Sequence, residues 1–283
     1  MKSLPFGPLE PSLYRETVRR ARAEDLGWGD VTTEATVPED ARALGRLVAR
    51  APCVIAGLDV AEEAFRQLDP VVRVHRQRQD GDRCGAGDLV ASVDGRAASM
   101  LTAARTALSF LERLSAIATA THRFVEASGG RVVILDTRQT LPLWRVLDKY
   151  AVRAGGGTNH RVSLDEGVVV EASHAKFAGG LGAAVARVRS AAVDMPIQAE
   201  VTSVAEAEEA IAAGATRLLV NSIGPGLADL VRHTRGRAQL EVAAIVALDD
   251  VDALVTMGVD FISVAAFSAA PLPVDLHFDV EPV

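Results

Sequence analysis

The sequence predicts an α/β protein in two parts, a small N-terminal α/β domain and a longer run of repeated βα units, and three features carry that reading. Short strand-like runs broken by turn signals occupy residues 41–95. An uninterrupted apolar pattern at spacings of three and four fills residues 98–126. Beyond it, apolar strands alternate with helical segments. Strand and helix repeated over about 150 residues suit an α/β barrel or an open doubly wound sheet.

Taken in order, residues 11–24 have helical spacing, with Leu13, Val18 and Ala21 on one side, and Gly27, Gly29 and Asp30 end that helix in a turn. GRLVARAPCVIAG, VVRVHRQ and DLVASVDG then read as strands, the last after the turn-rich DGDRCGAG, with a helix over residues 60–68. In the long pattern that follows, Leu101, Ala104, Leu108, Leu111, Leu114 and Ile117 recur on one face of a helical segment that joins the two parts. VVILD, GVVVEAS, IQAEV, RLLVNS, LEVAAI and FISVAAF are short, continuous and apolar, as strands of a parallel sheet buried on both faces must be. Helices are expected between them over residues 177–192, 204–213 and 248–257, and AAGATRLLV and TMGVDFISV place glycine at helix ends.

Composition narrows the function. A formal charge of −7, with no run of five like charges, argues against a nucleic-acid or anionic-membrane surface and for a small-molecule partner or another copy of the chain. Cys53 and Cys84 are the only cysteines, too few for a disulfide framework or a cysteine metal site, which fits a reducing cytoplasm. Prolines and acids in MKSLPFGPLEPSLYRETVRRARAEDLG break any signal-like apolar region, and no stretch has the length of a membrane span. A cytoplasmic protein is expected.

In a barrel the chemistry gathers at the carboxyl ends of the strands. There stand Asp136, Thr137 and Arg138, then Glu171 to His174, Glu200, Asn221, Ser222, Ala243, Ala244 and Ser263 to Ala266. GGGTNHR, residues 155–161, adds glycines that permit close backbone approach, together with His160 and Arg161. An arginine fork donates two hydrogen bonds to one carboxylate, so Arg138 and Arg161 are suited to a diacid. Taken singly, each arginine also fits a surface ion pair, His174 a structural role and the triple glycine a turn. No zinc spacing, Walker loop or dinucleotide fingerprint is present, and arrangement alone reaches a small-anion enzyme.

EDLGWGDVTTEA, AGLDVAEEAF, ARTALSFLERLSAIAT, LDTR, LDKYAVRAGGGTNHR and GVDFISV, in that order, make the chain resemble the quinolinate phosphoribosyltransferase family, the carboxylating nicotinate-nucleotide pyrophosphorylases, over nearly its whole length. The resemblance implies a small N-terminal α/β sandwich domain, residues 1–110, to which a C-terminal strand at 273–283 returns. It implies an incomplete α/β barrel over 111–272, and a homodimer whose active sites are shared. The activity implied is phosphoribosyl transfer from phosphoribosyl pyrophosphate to a pyridine carboxylate with decarboxylation, a step of NAD biosynthesis that uses Mg2+. Arg105, Arg138, His160 and Arg161 match the positions that hold the acceptor, Arg105 coming from the neighbouring subunit, and Glu200 matches a catalytic glutamate.

The phosphate side departs from the family pattern. Gln139 stands where the family has lysine, and Leu141, Leu143 and Trp144 stand for threonine, glycine and leucine. The family's Lys-Asp-Asn-His is Glu171, Ala172, Ser173 and His174, and an aspartate is Asn221. Ala243, Ala244 and Ile245 replace Ser-Gly-Gly, and Ala265 to Ala270 replace Gly-Ala-Leu-Thr-His-Ser. Each lost charged contact weakens phosphate binding by about 1.5 to 3 kcal/mol, and methyl groups hinder the backbone approach that glycine allows. Lys176, Lys149 and Arg145 are the candidate replacement cations. Two readings stay open: a phosphoribosyltransferase of the family type, or a diverged paralogue that binds an aromatic or pyridine carboxylate without phosphoribosyl pyrophosphate, as a lyase, a decarboxylase or a binding protein, with no metal required.

Overall fold

The computed structural model describes residues 6–191 and 194–283, which form two compact units. The first contains the chain up to His122, Pro142–Gly156 and Ala270–Val283; the second contains Arg123–Leu141 and Gly157–Ala269. The boundary expected between residues 110 and 111 falls inside a single helix, Ala97–Ser128, whose sequence has no residue to break it.

In the first unit, α1 (Arg15–Leu26), α2 (Val31–Thr36), β1 (Arg42–Ala49), β2 (Cys53–Val54), α3 (Leu58–Arg66), β3 (Arg73–Arg76), β4 (Arg83–Cys84) and β5 (Leu89–Arg96) lead into α4 (Ala97–Ser128). Asp30, expected only to end a turn, starts α2: its carboxylate accepts from the Thr33 amide at 3.0 Å and caps the helix. β1 pairs antiparallel with β5 on one side and with the C-terminal strand Leu276–Pro282 on the other, and β3 lies on the far edge of β5. Leu47, Val93 and Phe278 of this sheet face Leu58 and Phe65 of α3 and Leu111 of α4, which forms the unit's apolar core. Cys53 and Cys84 lie opposite each other in the β2–β4 pair as buried free thiols.

The segment Arg145–Ala154 (α5) also belongs to this unit. Leu147, Tyr150, Ala151 and Ala154 recur at three and four and are all buried. Tyr150 donates to Asp80, which also accepts from the Gly57 and Leu58 amides at 2.9 and 3.1 Å and so anchors the start of α3. Arg113 grips the fully buried Asp148 with two bonds of 3.1 and 2.9 Å. Just before α5, Trp144 stacks on Phe110 with centroids 4.7 Å apart, and the Arg113 guanidinium lies 5.7 Å from the Trp144 ring centre. The bulk of Trp144 therefore serves packing within the first unit.

The second unit contains β6 (Val133–Leu135), β7 (Val168–Val170), α6 (Ala172–Ala178), α7 (Leu181–Ser190), β8 (Ile197–Glu200), α8 (Val204–Ala213), β9 (Arg217–Val220), α9 (Leu227–Thr234), β10 (Gln239–Val242), α10 (Val251–Met257), β11 (Phe261–Ser263) and α11 (Ala266–Ala269). Its six strands are parallel, in the order β6–β11–β10–β9–β8–β7. Among the described residues β6 and β7 do not pair with each other, and Thr158 bridges to Leu135 instead, so the barrel is incomplete. The helix expected over residues 177–192 is two helices that part at Gly179 and Gly180, where φ is 85° and 134° and a side chain would be strained. Its expected end at Ala192 lies outside the described residues, as do residues 1–5 of the N-terminal stretch. Among the described residues no helix is long and apolar enough to cross a membrane.

Candidate functional site

The carboxyl ends of the six strands surround a cavity of about 270 Å³, all of whose described lining belongs to the second unit. Thr137, Arg138 and Gln139 follow β6, Glu171 follows β7, Glu200 ends β8, Asn221 follows β9, and Ala243 and Ala265 follow β10 and β11. His160 and Arg161 enter from the loop before β7, and Val169 and Leu219 supply apolar wall. The structure thus brings together Arg138, Gln139, His160, Arg161, Glu171, Glu200, Asn221, Ala243 and Ala265, which the sequence singled out.

Asp136 organises the side that carries Arg138, His160 and Arg161. It is buried, and its two oxygens accept from the His160 amide at 2.8 Å and the Asn159 side chain at 2.6 Å, which ties the loop to the end of β6. Arg161 donates to the Gly167 carbonyl at 2.8 Å, and Glu166 accepts from the Val162 amide, so the loop is clasped at both ends. Burial, and then the nearby positive charge of Arg138, lower the Arg161 pKa, while Glu171 opposes the shift. Arg138 and Arg161 thus both line the cavity as cations.

The other side is neutral or acidic, and its polar groups satisfy one another. Glu200 accepts from the Asn221 side chain at 2.7 Å and from the Ala172 amide at 2.9 Å. Glu171 caps α6 in a reciprocal arrangement with His174, whose Nδ1 accepts from the Glu171 amide at 3.0 Å. The Ser268 hydroxyl donates to the backbone carbonyl of Gln139 at 2.8 Å. Asn221 presents its amide nitrogen to Glu200, and among the described residues no group of three metal-ligating acids, histidines or cysteines exists. These residues do not fit a protein-built magnesium site.

Of the candidate replacement cations, Lys176 is exposed on α6 and is not among the described lining, and Arg145 and Lys149 are on α5 of the first unit. Ala244 is half-buried after β10, and Ile245 beside it is fully exposed. The glycines of GGGTNHR serve packing as well as turning. A Cβ on Gly155 would meet the Ala118 carbonyl oxygen at 2.3 Å, so its close approach is to α4.

His160 and Ser263 belong to a polar network at the cavity lining whose other members, Gln198, Glu241 and Arg217, sequence reading missed. The His160 Nε2 is 3.0 Å from the Gln198 carbonyl oxygen, the Gln198 amide donates to Glu241 at 2.7 Å, and Ser263 donates to the other Glu241 oxygen. Arg217 reaches Glu241 at 3.5 Å and lies 3.8 Å over the Phe261 ring. Gln198, Arg217, Glu241 and Ser263 are all buried. Burial raises the Glu241 pKa, but His160, Ser263 and Gln198 outweigh it and the net shift is downward. The signal was available in IQAEV and LEVAAI, where Gln198 and Glu241 are polar residues inside otherwise apolar strands.

Arg105 belongs to the first unit, exposed on α4 beside Asp25, Asp30, Thr102 and Thr106. Asp30 and Asp25 accept from Thr102 and Thr106 at 2.9 and 3.1 Å.

Residues 30–115 match the quinolinate phosphoribosyl transferase N-terminal domain, and residues 117–279 its C-terminal domain. Nicotinate-nucleotide pyrophosphorylase [carboxylating] of Mycobacterium leprae is 35% identical, over 94% of this chain and 96% of its own. A probable enzyme of the same name from Bacillus subtilis is 34% identical, over 91% and 90%. Among solved structures, the nicotinate-nucleotide pyrophosphorylase of Francisella tularensis superposes with a TM-score of 0.94 at 31% identity, covering 99% of this chain and 100% of that one. NadC of Streptococcus pyogenes gives 0.93 at 31% identity, covering 98% and 99%. With both domains matched and the fold retained end to end, the chain belongs to the quinolinate phosphoribosyl transferase family.

Proposed function

We propose that the cavity binds a pyridine dicarboxylate of the quinolinate class and that the protein transfers a phosphoribosyl group to its ring nitrogen, with loss of carbon dioxide, as a step of NAD biosynthesis. The observation that carries this reading is that Arg138 and Arg161 line one cavity at the strand ends, where planar guanidinium forks suit the two carboxylates of such an acid. Val169 and Leu219 offer apolar surface to the ring. In the reaction, a bond forms between the ring nitrogen and the anomeric carbon while pyrophosphate leaves with the electron pair of the broken C–O bond. The carboxyl next to nitrogen then departs as carbon dioxide, and its electron pair takes up a proton at the ring carbon. Glu200 opposes the positive charge that develops at the anomeric carbon. Mg2+ accompanies the diphosphate of the donor if the donor is used. We infer as well a cytoplasmic homodimer in which Arg105 of one copy joins the cavity of the other. Steady-state assay with quinolinate, phosphoribosyl pyrophosphate and magnesium tests the activity; absence of nicotinate mononucleotide above background overturns it.

A second reading is favoured by one specific observation, the self-satisfied donor side. Glu171 occupies the start of α6 and Glu200 is spent on Asn221 and Ala172, so a diphosphate meets carboxylates where it needs donors. On this reading the protein binds an aromatic or pyridine carboxylate and no longer takes the donor. Calorimetry separates the two: quinolinate heat without donor heat supports the second reading, and donor binding removes it.

A further inference from the structure

His160 has both ring nitrogens engaged within the protein. The Arg161 amide donates to Nδ1 at 2.8 Å, which requires Nδ1 to carry a lone pair and no proton. Nε2 lies 3.0 Å from the Gln198 side-chain oxygen, which can only accept, so Nε2 carries the proton, and the Gln198 amide nitrogen faces Glu241 at 2.7 Å. That orientation is fixed in turn, because a buried carboxylate needs donors, and a flipped Gln198 would set an oxygen against Glu241. Ser263 and Arg217 hold the carboxylate from its other sides. The direct His160–Glu241 separation is 3.6 Å, too long for a hydrogen bond, so the link runs through Gln198.

We propose that Gln198 and Glu241 are positioning residues that lock His160 as the neutral, Nε2-protonated imidazole, and that this imidazole holds the Arg161 backbone in place and offers no ring nitrogen to the substrate. Acid recognition then belongs to the arginines, with His160 acting through Arg161. The chain of donors is directional: Glu241 orients Gln198, Gln198 selects the tautomer, and the tautomer leaves Nδ1 free to accept the amide of the residue that grips the ligand. Only the consequence for ligand binding rests on the cavity being the acid pocket; the tautomer does not.

The test is a long-range 1H–15N correlation spectrum of the full chain labelled at histidine nitrogen, with the His160 signals identified by their loss in His160→Gln. The expected pattern is a protonated Nε2 and an unprotonated Nδ1. A protonated Nδ1, or a tautomer average, overturns the proposal in the unmutated protein, whatever the variants do. Gln198→Leu is expected to lose the fixed pattern and to weaken pyridine-2,3-dicarboxylate binding about 10-fold, whereas Glu241→Gln, which keeps an acceptor for Gln198, retains the pattern. An unchanged pattern in folded Gln198→Leu also overturns it. If the unmutated protein shows the expected pattern but binds no dicarboxylate, the acid-pocket reading fails and the tautomer lock stands.

Discussion

At the residue scale the two arginines bear the functional reading. Arg161→Lys keeps one charge but loses the planar fork and the bond to the Gly167 carbonyl, and Arg138→Ala removes a charge outright. Each is expected to weaken binding of pyridine-2,3-dicarboxylate by about 1.5 to 3 kcal/mol, roughly 10- to 100-fold, as titration calorimetry reads it. Arg138 and Glu200 were legible in the sequence because they stand at the ends of apolar runs, and Arg161 because it closes the glycine-rich GGGTNHR. Gln198 and Glu241 showed only as polar residues inside apolar strands; that they meet was not legible, because β9 lies between their two strands in the sheet.

At the element scale, the loop from β6 to α5 carries a conformation its residues do not favour. Leu143 has φ of +66° and its side chain is exposed, at the position where the family pattern has glycine. A left-handed leucine is strained by about 1 to 2 kcal/mol, part of which glycine returns through the greater freedom of its unfolded chain. Leu143→Gly is expected to stabilise by about 1 kcal/mol and to raise the melting temperature by about 2 to 4 °C; a lower melting temperature contradicts it. The neighbouring α5 is held by the buried Asp148, and Asp148→Ala removes both of its bonds to the part-buried Arg113 guanidinium. A loss of about 3 to 5 kcal/mol is expected in urea unfolding, with part of it restored when Arg113→Met is added. Most helices and strands could be read from periodicity. α2 was missed because Asp30 reads equally as a turn residue and as a cap, and the stacking of Trp144 on Phe110 was hidden because contacts across 34 positions leave no local pattern.

At the scale of the whole molecule, the two units carry different parts of the proposed acid site. Arg138 and Arg161 belong to one unit and Arg105 to the other. In the homodimer proposed above, Arg105 acts in the neighbouring copy's cavity, so a variant lacking Arg105 and a variant lacking Arg161 are each defective for different reasons. Mixed in equal amounts and allowed to exchange subunits, they form heterodimers in which one cavity has lost both arginines and the other has kept both. About half of the dimers are then mixed and one cavity in two is intact, so roughly a quarter of the dicarboxylate-binding sites should return. Calorimetry on the refolded mixture reads that recovery directly, with light scattering to verify the dimer. No recovery from a dimeric mixture means that Arg105 serves its own chain or no site at all, and a monomer in light scattering removes the shared-site arrangement altogether. Because binding rather than turnover is measured, the outcome is independent of whether the altered donor side still accepts phosphoribosyl pyrophosphate.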